Sequence, residues 1–135
     1  MESKDLRIGN YVKLKGFDNF YKVSEIYFSG IECNFEEGKK KHFANRIDNF
    51  EPIPLTPEIL EKAGFERVGR NYQIKHELPT KRIFIVSDTW ISGTWQNWAF
   101  SLNDENQQIF VALHSLHQLQ NLYFALTGEE LTINL

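Results

Sequence analysis

Cysteine is almost absent from the sequence, and no apolar run is long enough to span a membrane. Cys33 is the only cysteine among 135 residues, which excludes an intramolecular disulfide and a zinc site built on cysteine pairs. No stretch approaches the roughly 18 consecutive apolar residues of a transmembrane helix. No apolar run follows a basic segment near the start of the chain. We therefore expect a protein of the reducing cytoplasm that has no membrane segment.

Signatures of catalytic and cofactor sites are also missing. The sequence contains no glycine-rich phosphate loop and no HExxH pair. His114 and His117 are three residues apart, a spacing that metal ligands use, but a capping or hydrogen-bonding role at a strand-to-helix junction is more common. Alternation along residues 31–35 places Cys33 on the same strand face as Ile31 and Phe35, which favours a small buried side chain over a nucleophile. We predict no enzymatic activity, no cofactor and no bound metal.

The composition is typical of a globular protein. Hydrophobic residues make up 41% of the chain, aromatic residues 14% and charged residues 24%, with a formal net charge of -3. These values exclude disorder for most of the chain. A chain of this length buries roughly two-thirds of its extended surface, so a core forms without disulfides or metal. The negative charge removes the broad attraction to phosphates that most non-specific nucleic-acid binders show.

The first half of the sequence predicts an antiparallel meander. Residues 6–55 alternate apolar and polar side chains between turn signals, with strands expected over residues 11–14, 20–28 and 31–35. The polar residues 36–41 predict a hairpin tip before a last strand. Four or five strands in about fifty residues favour a small SH3-like barrel, because so short a sheet buries its apolar face best by curling on itself.

Three prolines within six positions mark the predicted boundary between residues 1–55 and residues 56–135. One continuous domain remains the alternative to two subdomains. Thr56 and Pro57 are typical of a helix start, and Gly64 is typical of a helix end about two turns later.

The second half predicts three to five antiparallel strands over residues 65–113, followed by an amphipathic helix of about three turns from Ser115. Leucines and a tyrosine recur there at spacings of three and four. We expect this helix to cover the apolar face of the second sheet, which gives an α+β fold.

Three segments of the chain resemble a known group of sequences. They are residues 6–12 (LRIGNYV), 52–65 (PIPLTPEILEKAGF) and 116–131 (LHQLQNLYFALTGEEL). Together they are similar to small uncharacterised proteins carried by phages, prophages and mobile elements of Bacteroidota. The resemblance implies a genomic setting and the cytoplasm of a bacterial host, but it implies no activity, cofactor or catalytic residue.

A tryptophan cluster is the first candidate binding site. Trp90, Trp95 and Trp98 lie within nine positions around a turn-like stretch. Trp98 alternates with core residues and Trp90 ends an apolar strand, so Trp95 is the indole expected to be exposed, with Trp90 beside it. Tryptophan is enriched in protein interface hot spots, and we therefore predict that Trp95 and Trp90 contact a protein partner.

A basic hairpin is the second candidate site. Lys39, Lys40, Lys41, His42 and Arg46 form the densest cationic cluster, and aromatic residues flank it. Cations and aromatics on a small barrel are how many proteins bind single-stranded nucleic acids. A solvated hairpin tip is the competing interpretation, since two glutamates precede the lysines.

The sequence therefore favours two functions over a third, a small hydrolase or metal-dependent enzyme that uses His114 and His117. The first is a non-enzymatic binding protein of a phage or mobile element that acts on a host or phage protein. Inhibition of a host defence system, such as a nucleic-acid-processing CRISPR effector, fits this setting, because a small acidic protein can occupy a positively charged channel. The alternative is a single-stranded nucleic-acid binding module that uses the basic hairpin at residues 39–46. The oligomeric state stays open.

Overall fold

The computed structural model describes residues 1–28, 30–35, 41–69, 71–76, 82–91, 94–103 and 110–134. These residues form ten strands, two α-helices and two short 3-10 helices. The strands make two antiparallel sheets of five strands each. By their contacts, the residues divide into a first unit, Met1–Pro54 with Ser115–Ala125, and a second unit, Leu55–His114 with Leu126–Leu135. The predicted α+β class is confirmed.

The first sheet is the predicted meander. Its strands are β1 (Tyr11–Leu14), β2 (Phe20–Ile26), β3 (Gly30–Phe35), β4 (Lys41–Arg46) and β5 (Phe50–Glu51), and a 3-10 helix, Ile47–Asn49, lies between the last two. The strand order is β4-β3-β2-β1-β5. In the described part of the chain β4 and β5 do not pair with each other, so the sheet is open and no closed barrel is present.

Alternation along the strands builds the core of the first unit. Tyr21 and Val23 of β2 are buried, and Lys22 between them is partly exposed. A β-bulge shifts the register between Val23 and Glu25 and bends the strand. The buried cluster draws on β1, β2, β3 and β5, and it consists of Leu6, Val12, Tyr21, Val23, Ile31 and Phe50.

The predicted two-turn helix, α1 (Pro57–Lys62), is confirmed at both ends. The Thr56 hydroxyl accepts a hydrogen bond from the amide of Ile59 at 3.3 Å. Gly64 follows the helix with φ of 88°, a left-handed conformation that glycine adopts without steric cost. The Phe65 amide then donates to the Leu60 carbonyl at 3.0 Å, which completes a Schellman motif.

The second sheet is an up-and-down antiparallel arrangement. Its strands are β6 (Glu66–Val68), β7 (Asn71–His76), β8 (Arg82–Ile91), β9 (Thr94–Asn103) and β10 (Phe110–Leu113), in the order β10-β9-β8-β7-β6. Trp98 is partly buried. Its indole N–H donates to the Leu55 carbonyl at 2.9 Å, and its ring meets the Tyr72 ring edge-on at 5.8 Å. Trp98 is therefore a structural residue of the second unit.

The C-terminal amphipathic helix is α2 (Leu116–Thr127), as its periodicity predicts. Leu116, Leu119 and Tyr123 are buried at spacings of three and four. The sequence predicts that α2 covers the second sheet, whereas the structure assigns its residues 116–125 to the first unit. Among the described residues, no helix is long and apolar enough to cross a membrane.

A close backbone contact makes Gly30 a sensitive position. A Cβ at Gly30 would lie 2.6 Å from the carbonyl oxygen of Asn45, which belongs to the neighbouring strand. We expect Gly30→Ala to lower the free energy of unfolding by about 2–3 kcal/mol, because the two strands must move apart. Urea denaturation measures this loss. The control is Gly16→Ala, where nothing lies within 4 Å and only the positive φ of 82° opposes the substitution. A loss at Gly30 no larger than at Gly16 would contradict the prediction.

Candidate functional site

The two tryptophans predicted to bind a partner are brought together by the second sheet. Trp90 of β8 and Trp95 of β9 are direct register partners close to the β8–β9 connection. The register shifts between Thr89 and Trp90, so the pair sits at an irregular end of the hairpin. Their side chains lie outside the described part of the structure, as do residues 92–93. The exposure of Trp95 therefore stays a prediction.

The predicted basic cluster is only partly described. Lys39 and Lys40 lie outside the described residues, while Lys41 and His42 begin β4 and Arg46 ends it. Five residue steps along a strand separate the backbone of Lys41 from that of Arg46 by about 17 Å. Arg46 is exposed and lies opposite Gly30, at the far end of the strand from Lys41. The structure thus places Arg46 at the opposite end of β4 from Lys41.

An exposed apolar tip lies at the turn between β2 and β3. Ile26, Tyr27 and Phe28 are consecutive, and their exposed fractions are 37%, 48% and 101%. The Tyr27 amide donates to the Gly30 carbonyl at 2.8 Å and closes the turn. We call these three residues the β2–β3 tip. The sequence predicts a strand through residue 28, so it gives Phe28 no binding role, and it places Tyr27 only among the aromatic residues that flank the basic hairpin. The signal that could have found them is an apolar run placed directly before Ser-Gly.

Two carboxylates flank the phenol of the β2–β3 tip. The Tyr27 hydroxyl lies 2.5 Å from Oε2 of Glu25 and 3.1 Å from Oε2 of Glu32. The two glutamates are register partners on neighbouring strands. Hydrogen bonding to Glu25 first, and to Glu32 second, raises the pKa of Tyr27 above its ordinary value. The tip therefore carries a neutral phenol and negative charge beside its apolar surface.

Two buried polar side chains of the first unit, those of His117 and Gln120, belong to α2. Gln120 is 1% exposed, and its carboxamide accepts a hydrogen bond from the Tyr11 amide at 2.9 Å. The same carboxamide donates to the Gly9 carbonyl at 3.1 Å. One side chain thus pairs with two backbone groups at the start of β1, those of Gly9 and Tyr11.

Asn121 continues this network. Its side-chain oxygen accepts hydrogen bonds from Asn10 Nδ2 at 2.9 Å and from Arg7 Nη1 at 3.3 Å. Its side-chain nitrogen donates to the Asp5 carbonyl at 3.0 Å. We call Asn10, Gln120 and Asn121 the amide cluster. The carboxamides of the cluster already bind groups of this chain and connect α2 to residues 5–11. We therefore assign the amide cluster a structural role.

The two histidines weighed as metal ligands have different surroundings. His117 is buried and its Nδ1 lies 3.1 Å from the Ser115 hydroxyl, whereas His114 is exposed. Burial disfavours the imidazolium and lowers the pKa of His117, although the charge of Asp5 partly opposes this and the amino terminus adds to it. Within the described residues, no group of three or more His, Cys, Asp or Glu side chains could hold a metal ion.

His117 makes stability depend on pH. Its folded pKa lies below its unfolded value of about 6.5, so the unfolded chain binds the proton more readily. Its contribution is fully present above the unfolded pKa and is lost as pH falls towards the folded pKa. We expect the urea midpoint to decrease between about pH 7 and pH 5, and His117→Gln to flatten that decrease. His114→Gln is the control and should retain it. An unchanged slope in His117→Gln would contradict the prediction.

Comparisons with known proteins find no match. No family model matches the sequence, and neither a curated protein nor a solved structure is similar to it at a significant level. The resemblance carried by the three segments therefore stays a prediction. Two of those segments, residues 6–12 and 116–131, meet in the amide cluster, which indicates a structural role for them. The β2–β3 tip stays a candidate binding surface, because its three consecutive apolar side chains are exposed.

Proposed function

We propose that the protein is a non-enzymatic binding module that attaches to another protein through the β2–β3 tip. The observation that carries this proposal is the exposure of three consecutive apolar side chains, among which Phe28 is fully exposed to solvent. Single exposed apolar residues are ordinary on protein surfaces. A contiguous group at a hairpin end is different, because such patches are typical of interaction sites.

The hydrogen bonds that hold the β2–β3 tip in place support a binding role. A hydrogen bond closes the turn, and the Tyr27 hydroxyl is held by Glu25 and Glu32. Side chains that are already positioned lose less conformational entropy when a partner binds. Aromatic residues in such positions act as anchors, since they bury a large area with few rotatable bonds.

We propose that the first sheet curls as an SH3-like sheet does, without closing into a barrel. Its strand order is β4-β3-β2-β1-β5, and a 3-10 helix lies between β4 and β5. The bulge in β2 bends the strand, and the buried cluster draws side chains from β1, β2, β3 and β5. Both features favour a sheet that curls around one core.

The partner that we propose is a host or phage protein. The resemblance to mobile-element sequences favours a component of a host defence system, including a CRISPR effector. A net charge of -3 suits a surface that competes with nucleic acid for a positively charged site. Trp95 and Trp90 are proposed as a separate contact on the second unit.

The experiment is affinity capture from a Bacteroidota host lysate, with and without nuclease, followed by mass spectrometry. We expect one stoichiometric partner that resists nuclease, and we expect Phe28→Ser to reduce its recovery about tenfold or more, as anchor residues at interfaces do. Phe17→Ser is the control, because Phe17 is also exposed, at 61%, in a different loop. Equal recovery with both variants would contradict a role for the tip.

Trp95→Ala tests the second contact in the same assay. We expect weaker capture and an almost unchanged melting temperature, since an exposed indole contributes little to the core. A large loss of stability would instead assign Trp95 to the core. Recovery that disappears after nuclease treatment would contradict direct protein binding and favour the basic hairpin with Lys39, Lys40 and Lys41.

A further inference from the structure

We propose that Tyr27 is a positioning residue of the β2–β3 tip, whose hydroxyl fixes the turn so that Phe28 is presented to a partner as one preset ring. This proposal rests on the proposed function, because it specifies how the tip binds and which of its rings the partner encloses. Two observations carry it: the different surroundings of the two aromatic side chains, and the residue types of the turn.

The two aromatic side chains of the tip have different surroundings. The Tyr27 hydroxyl lies 2.5 Å from Oε2 of Glu25 and 3.1 Å from Oε2 of Glu32, so its ring is held beside the two strands. We call these two contacts the phenol bridge. The exposed fraction of Tyr27 is 48%, whereas that of Phe28 is 101%. The partner therefore encloses the ring of Phe28, while the Tyr27 hydroxyl keeps its contacts within this chain.

The β-bulge of β2 brings the groups of the phenol bridge together. The register shifts between Val23 and Glu25, so one extra residue stands in β2. Val23 before the shift is buried, and Glu25 after it is exposed. Without the shift, the alternation of side chains would place both residues on one face of the sheet. The bulge thus sets Glu25 opposite Glu32, within reach of the Tyr27 hydroxyl.

The residue types of the turn do not select one turn conformation. Two residues, Phe28 and Ser29, separate Tyr27 from Gly30, and the Tyr27 amide donates to the Gly30 carbonyl at 2.8 Å. Two-residue hairpin connections favour asparagine, aspartate or glycine, because such turns require positive φ. Neither Phe28 nor Ser29 is one of these residues. The phenol bridge supplies a restraint instead, since it binds the residue directly before Phe28 to both strands.

A restrained turn binds a preformed pocket more tightly than a loose one does. Ordering a side chain or a turn on binding costs free energy, and a group that is already ordered avoids this cost. Tyr27→Phe removes the hydroxyl and retains the aromatic ring, so it breaks the phenol bridge with almost no change in the apolar surface. Because the bridge lies at the protein surface, its loss should affect binding more than stability.

β-Cyclodextrin tests the proposal without a known partner, because its apolar cavity takes one aromatic ring. The host is titrated into the full-length, isotope-labelled protein, and amide shifts of residues 26–28 and 30–31 report binding at the tip. Shifts around Phe17, which is 61% exposed, report binding to a phenylalanine outside the tip. Backbone relaxation of residues 26–28 in the absence of the host measures the order of the turn.

We expect Tyr27→Phe to bind the host at the tip about threefold more weakly than the native protein, because the turn must then be ordered on binding. The order parameters of residues 26–28 should decrease, and the melting temperature should change little. Binding at Phe17 should stay the same. The double variant Glu25→Gln and Glu32→Gln keeps oxygens that accept the phenol proton, so it should retain both the order of the turn and the affinity.

The outcomes separate the positioning role from the proposed function. Native affinity and native order in Tyr27→Phe would overturn the positioning role, while tip shifts that Phe28→Ser abolishes would leave the apolar anchor standing. Weaker binding with unchanged order would also overturn it, because the hydroxyl would then contact the host directly. A loss in the double glutamine variant as large as in Tyr27→Phe would overturn the hydrogen bond as the cause. Absence of tip shifts in the native protein would overturn the tip as a binding surface.

Discussion

Two carboxamides on one helix hold the first unit together. Gln120 binds the backbone of Gly9 and Tyr11, and Asn121 binds Asn10 and the Asp5 carbonyl. Gln120 and Tyr11 are 109 positions apart in sequence. Because a buried carboxamide without partners costs about 1–3 kcal/mol, this helix is stable only against the edge that satisfies it. The amide cluster thus fixes where α2 lies.

The position of α2 explains how the chain is organised. The first unit combines residues 1–54 with residues 115–125, and residues 55–114 intervene between these two segments. The chain leaves and re-enters this unit at one place, where Pro54 and Ser115 form an antiparallel bridge and the Leu116 amide donates to the Ile53 carbonyl at 2.9 Å. The same unit carries the β2–β3 tip. The ring of Phe28 can be exposed because the buried core and the amide cluster, rather than the tip, stabilise the first unit.

Much of the fold could be predicted from the sequence, because its signals are local. Thr56 and Gly64 act through their own backbone geometry, so both ends of α1 were predictable. The part of the chain against which α2 packs could not be predicted. A hydropathy pattern treats Gln120 as an exposed residue and cannot show which backbone groups it binds. The sequence pattern does not reveal the β2–β3 tip for a related reason. Phe28 continues an apolar run, and only the geometry of the turn exposes its side chain to solvent. The exposure of Trp95 remains a prediction.

Amide hydrogen exchange at Tyr11 is the most direct test of the amide cluster. The Tyr11 amide donates to Gln120, so it should be protected in the native protein as strongly as the amides inside the first sheet. Gln120→Ala should increase its exchange rate about fivefold or more, since a hydrogen bond worth about 1 kcal/mol or more is lost. Gln118→Ala, at an exposed position of the same helix, should leave it unchanged. Equal protection of Tyr11 in the native protein and in Gln120→Ala would contradict the central role of this contact.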